Sequence, residues 1–100
     1  MDYYADAEDG REVEDPTHDD LVRLIGALSP DNNTFFVIYP SDHALEWFVS
    51  VTLGAGSFGG YEIDRADPVT GEHDVTTAAD PHTIATDIKN WADMRAPADF

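Results

Sequence analysis

The sequence predicts an α+β fold in which two helices pack on one face of an antiparallel sheet of about four to five strands. Two segments repeat apolar residues at helical spacing, and several shorter segments are rich in β-branched and aromatic residues or alternate apolar with polar residues. The connections between those strands are short, which favours antiparallel pairing. A chain of 100 residues suffices for one modest hydrophobic core, so we expect residues 1–100 to form a single domain.

The two helices are predicted over residues 16–28 and 81–95. Pro16 suits the first turn of the first helix, with Asp15 or Thr17 available as its cap, and Asp80-Pro81 repeats this arrangement for the second. Apolar residues then recur every three or four positions, which places them on one face of each helix. They are Leu21, Leu24, Ile25 and Leu28 in the first helix, and Ile84, Ile88, Trp91 and Ala92 in the second.

Four strands are predicted between the helices. The first, TFFVIY, is apolar almost throughout and indicates a largely buried strand, whereas the second alternates strictly and indicates a half-buried one. The opening residues 1–15 carry an Asp-Gly turn between acidic runs, which predicts a frayed segment or an edge hairpin. The four predicted strands are residues 34–39, 45–53, 61–65 and 72–77.

Residues 54–59, GAGSFG, satisfy the G-x-G-x-x-G pattern of two nucleotide-binding enzyme classes. The dinucleotide-binding class needs a helix directly after the glycines, whereas a strand is predicted at this position. A kinase glycine-rich loop does join two strands, but a kinase also needs a lysine on a nearby strand. The only lysine, Lys89, falls in the closing helix. We therefore interpret GAGSFG as a hairpin loop and expect no nucleotide or other cofactor.

The formal net charge is −16, from 15 Asp and 6 Glu against four Arg and one Lys. Such a charge repels phosphate backbones and anionic lipid, so binding to nucleic acid or to a membrane is not expected. Three explanations remain for it: solubility, adaptation to high salt, or complementarity to a basic partner protein.

Other patterns argue against catalysis and against a metal site. The chain has no cysteine, which excludes disulfides, thiolate zinc sites and a cysteine nucleophile. The four histidines fall on separate predicted loops or element ends, and no Ser/His/Asp order suggests a nucleophile. A membrane-spanning run and a signal-peptide pattern are both lacking, so the expected location is cytoplasmic. We expect a protein that is not an enzyme.

The candidate binding residues are those that point away from the predicted helices. On the alternating strands Glu46, Phe48, Glu62 and Asp64 project outward together, with His73 nearby. An apolar side chain within a rim of carboxylates is typical of a surface that recognises a basic protein. The alternative is that Phe48 lies under a helix or under the N-terminal segment.

Several segments in their order along the chain carry a family resemblance. They are the acidic opening with Asp9-Gly10, the Asp15-Pro16-Thr17 helix start, and the segments FFVIYP, GGYEI and IATDIKNWADMR. In this layout the chain resembles small immunity proteins of bacterial polymorphic-toxin systems. The resemblance implies an acidic single-domain α+β protein that binds and blocks a cognate toxin, often a basic nuclease or deaminase. It carries over no individual site residue.

Two hypotheses of function follow. The first is a non-catalytic acidic binding protein that neutralises a basic partner, as an immunity protein inhibits its toxin. The second is a small salt-adapted domain of a halophile, whose charge serves hydration and which has no tight partner.

Overall fold

The structure is a computed structural model that describes residues 2–54 and 60–95. Over these residues it contains two helices and one antiparallel sheet of six strands in the order β2-β1-β3-β4-β5-β6. The predicted α+β class with an antiparallel sheet is confirmed, whereas the predicted number of about four to five strands was wrong. The elements are β1 (Tyr3–Ala7), β2 (Glu12–Glu14), α1 (His18–Gly26), β3 (Phe35–Pro40), β4 (Phe48–Leu53), β5 (Tyr61–Asp67), β6 (Glu72–Ala78) and α2 (Pro81–Asp93).

The additional strand comes from the opening segment, which forms the hairpin β1–β2. Gly10 adopts a φ of 92° in its turn, a conformation that glycine tolerates without strain. β1 lies inside the sheet rather than at its edge, because its other side pairs with β3 through Ala5 and Ile38. Tyr3, Ala5 and Ala7 are thereby buried. Every second residue of β1 therefore contributes to the core, although the segment around the strand is acidic.

Local capping groups determine where the helices begin. Thr17 caps α1: its side chain accepts a hydrogen bond from the Asp20 N–H, and the Asp20 carboxylate accepts one from the Thr17 N–H. The bond from the Thr17 N–H, together with Arg23, lowers the pKa of Asp20. Because Thr17 and not Asp15 is the cap, α1 begins at His18, two residues after the predicted start. Asp80 caps α2, which begins at Pro81 as predicted.

The core lies between the helices and one side of the sheet, which we call the helix-facing side. Trp47 stands near its centre, with its ring 6.0 Å from Tyr3 and 5.7 Å from Trp91 between centroids. Trp47 precedes β4, which starts at Phe48 and not at residue 45, because Asp42 closes a turn by accepting the N–H groups of Ala44 and Leu45. The largest fully buried side chains are Leu21, Ile25, Phe36, Ile38, Val49, Val51, Ile84 and Ile88, with Pro16.

The β4–β5 connection joins two neighbouring antiparallel strands, as the interpretation of GAGSFG required. Leu53 pairs with Tyr61, and the Gly54 N–H donates to the Gly60 carbonyl over 2.8 Å. A Cβ atom at Gly54 would overlap that carbonyl oxygen, so the first glycine of the motif is required for a close approach of two backbones. The remaining motif residues, 55–59, lie outside the described part of the chain.

Candidate functional site

One side of the sheet faces away from both helices, and we call it the open face. Strand pairing places Tyr4 of β1 beside Tyr39 of β3, and Phe48 of β4 beside Ala66 of β5. The two tyrosine rings lie 5.8 Å apart between centroids. Because Ile38 pairs with Val49, Tyr39 and Phe48 occupy adjoining positions in the same row. These side chains therefore form a continuous apolar and aromatic row across four strands.

The prediction that residues 34–39 are largely buried was wrong for half of the strand. Phe36, Ile38 and Pro40 are buried on the helix-facing side, but the alternate side chains belong to the open face. Phe35 and Val37 are half-buried there, and Tyr39 is 39% exposed. A strand that is apolar on both sides, in a sheet covered by helices on one side, leaves apolar surface uncovered.

The charged groups of the open face are all of one sign. Six carboxylates surround the apolar row, five of them on the strands and one, Glu46, just before β4, and none of the four Arg or the single Lys stands on this face. The basic residues lie instead in the β1–β2 turn, on the helices, after α2 and on the helix-facing side of β5. The open face is thus more uniformly negative than the rest of the described surface. The five carboxylates on its strands are Asp6, Glu12, Glu14, Glu62 and Asp64.

Three of the five predicted site residues meet at one depression of about 340 Å³. Glu46, Phe48 and His73 line it together with the β5–β6 turn. Asp64 reaches the same place through His73, since its Oδ1 lies 3.0 Å from the His73 Nε2. Glu62 stands two residues further along β5, on the open face but outside the depression. The structure therefore brings four of the five side chains together and leaves Glu62 in the surrounding rim.

A second depression of about 270 Å³ lies on the other side of Phe48. It is lined by Tyr4, Tyr39, His43 and Glu46, among others. Phe48 thus projects between two shallow concavities, each of which combines aromatic and carboxylate groups. The alternative position for Phe48, under a helix, does not occur, since both helices pack on the helix-facing side.

The tyrosines of this row were not among the predicted site residues. Tyr39 lies in an unbroken apolar run that hides the two-residue alternation, and Tyr4 lies in an acidic segment with little strand character. One signal was available in the sequence: an all-apolar strand in a sheet covered on one side only must place alternate side chains on the uncovered side.

The histidines form two local arrangements. The rings of His18 and His82 lie 5.9 Å apart, and the His18 Nε2 is 3.1 Å from the Thr86 Oγ1. His73 contacts Asp64 on the open face. Within residues 2–54 and 60–95, no three His, Asp or Glu side chains are placed to hold a metal ion. No helix in the same part of the chain is long and apolar enough to cross a membrane.

Comparisons of the chain with protein-family models, with curated proteins and with solved structures found no match.

Proposed function

We propose that the protein is a non-catalytic binding protein that neutralises a basic partner protein, which docks on the open face. The resemblance to small immunity proteins suggests a toxin as that partner. One observation carries the proposal: an aromatic row with Phe48 at its centre lies on the side of the sheet away from the helices, within a rim of carboxylates and without a basic residue.

The arrangement suits recognition of a protein because the aromatic row and the carboxylates around it contribute to binding in different ways. Aromatic side chains at the centre of an interface supply most of the binding energy when they fill concavities of the partner. Carboxylates around them raise the rate of encounter with a positively charged surface. The second effect weakens as salt is added, because exposed charges more than about 10 Å apart are screened at an ionic strength of about 0.1 M.

The test begins with identification of the partner. Proteins retained by the immobilised chain from an extract of its source organism, and the product of the neighbouring gene, are purified and titrated against it. We expect a basic protein whose association rate falls steeply between low and physiological salt, while the dissociation rate changes little. If the partner is a toxin, binding also abolishes its activity.

Two pairs of variants then locate the interface. Phe48→Ala should weaken the complex about tenfold or more, since it removes a central aromatic anchor. Its control is Met94→Ala, which removes an apolar side chain that is 81% exposed beyond α2. Glu62→Lys should slow association several-fold, and its control, Asp19→Lys, makes a similar change of charge on α1, away from the open face. Thermal unfolding of each variant checks that the fold is retained.

Equal binding by wild type, Phe48→Ala and Glu62→Lys would contradict docking on the open face. Failure to retain any basic protein, with a melting temperature that rises steeply in molar salt, would favour the alternative in which the charge serves hydration alone.

A further inference from the structure

The edge strand β6 offers a second binding surface, separate from the open face. In the described part of the sheet β6 pairs only with β5, and six of its seven residues are exposed. Every second residue of such a strand directs its N–H and C=O groups away from the neighbouring strand. β6 contains no proline, lysine or bulge that would prevent pairing, and its charged side chains are the carboxylates of Glu72 and Asp74, which disfavour an acidic strand and admit a basic one. The opposite edge, β2, is only three residues long.

A cavity of about 270 Å³ lies between β6 and α2, directly beside this free edge. Ile84 and Ile88 of α2, which are 2% and 1% exposed, line it with Ile63 of β5 and give it an apolar floor. One wall consists of residues 76–78 of β6. An extended peptide added to β6 would place its alternate side chains on the helix-facing side, where one of them can enter the cavity.

The polar groups around the cavity indicate the chemistry of that peptide. Asp87 of α2 lines the cavity and is exposed, and Asp74 stands on the same side of β6. These carboxylates favour a basic side chain beside the apolar one. The Nε of Arg65, a further lining residue, is buried and has no hydrogen-bond partner in the described part of the chain. β6 separates Arg65 of β5 from a strand added at the free edge, so this donor takes no part in the pairing of the added backbone.

We propose that the free edge of β6 and the β6–α2 cavity bind an extended segment of a basic protein by strand addition, with an apolar side chain in the cavity and a neighbouring Lys or Arg beside Asp87. The segment would become a seventh strand of the sheet. This site goes beyond the open face and uses none of its aromatic residues.

The experiment uses synthetic peptides and the full chain. The probes are fluorescein-labelled peptides of about nine residues, long enough to cover β6 with a residue to spare at each end. Every second residue is Lys or Ile in all combinations, with Thr between them, and fluorescence anisotropy measures binding. We expect peptides that contain both Ile and Lys to bind, whereas a separate control peptide of Thr alone should not bind.

N-methylation of the best peptide tests strand addition directly, without any change to the protein. Methyl groups on alternate amides that face β6 should weaken binding about tenfold or more, whereas methyl groups on the other set should leave the affinity within about twofold. Equal effects of the two sets would show that the backbone does not pair with β6 and would overturn the proposal.

Protein variants locate the site. Ala78→Leu, which fills the cavity, should abolish binding, and Ala79→Leu, which adds the same atoms just beyond β6, should not. Asp87→Lys should weaken binding several-fold relative to Asp19→Lys. Phe48→Ala should leave peptide binding unchanged, so failure of this site and failure of the open face remain distinguishable. The free protein is also tested for self-association. If it self-associates and Ala78→Leu abolishes that self-association, a second copy of the chain is the occupant and the proposal is overturned.

Discussion

Replacement of Arg95 by alanine should cost about 3 kcal/mol of unfolding free energy, although the residue lies beyond the end of α2. Its guanidinium lies 3.5 Å from the centroid of the Trp91 ring and donates to the Trp91 carbonyl over 3.1 Å. It also donates to Asp67 over 2.8 Å and to Glu72 over 2.6 Å. Arg95 therefore ties the end of α2 to the β5–β6 hairpin.

The magnitude follows mainly from Asp67. Side-chain exposure is 12% for Arg95 and 8% for Asp67, so this pair is buried, and removing one partner from a buried pair typically costs about 3–5 kcal/mol. Asp67 would keep one hydrogen bond, from the Val69 N–H, which favours the lower end of that range. Glu72 is 42% exposed, so its share is at most about 1 kcal/mol.

Urea denaturation followed by tryptophan fluorescence measures this loss, since Trp91 itself contacts the guanidinium. Arg23→Ala is the control, because its ion pair with Asp20 on α1 is exposed and should contribute about 0.5 kcal/mol or less. The double variant Arg95→Met with Asp67→Leu should be more stable than Arg95→Ala, since no buried charge is left without a partner. A loss below about 1 kcal/mol for Arg95→Ala would refute the reasoning.

Two further predictions concern pH and backbone geometry. Burial and the hydrogen bond to Asp93 raise the pKa of Tyr3 above its ordinary value of 10.0, so the unfolded chain loses this proton first and the unfolding free energy should fall as the pH rises above about 10. Tyr3→Phe should make that decline shallower when the unfolding free energy is measured by urea titration at several pH values between about 8 and 11. Parallel plots of unfolding free energy against pH for the two proteins would show that Tyr3 does not cause the decline. Gly54→Ala should cost about 1–3 kcal/mol because the new methyl group meets the Gly60 carbonyl. Gly26→Ala, in open space on α1, should cost nothing, so equal denaturation midpoints for the two glycine variants would exclude the close approach.

Features that depend on neighbours along the chain could be predicted from the sequence. The α2 start at Pro81 depends on a cap one residue away, and the alternation of β4 and β5 is visible within each strand. The pairing of β4 with β5 places Phe48, Glu62 and Asp64 on one face, as that alternation implies.

Features that depend on distant pairing could not be predicted in the same way. The position of β1 inside the sheet requires Ala5 to meet Ile38, across an intervening helix, and nothing local to residues 3–7 specifies that partner. The same pairing brings Tyr4 beside Tyr39 and so completes the aromatic row. The alternation therefore predicted the open-face residues of β4 and β5, whereas Tyr4 was missed because its pairing partner is distant and Tyr39 was missed because its apolar run hides the alternation.

The carboxylates around the aromatic row should disfavour contact between two copies of the chain through their open faces. An uncovered aromatic row would by itself favour contact between two copies of the chain. Face-to-face contact would bring Asp6, Glu12 and Glu62 of one copy near the same carboxylates of the other, and like charges brought together at an interface cost several kcal/mol. The same charges attract a basic surface. Specificity is a difference between two affinities, so one set of side chains can disfavour a second copy and favour a basic surface at the same time.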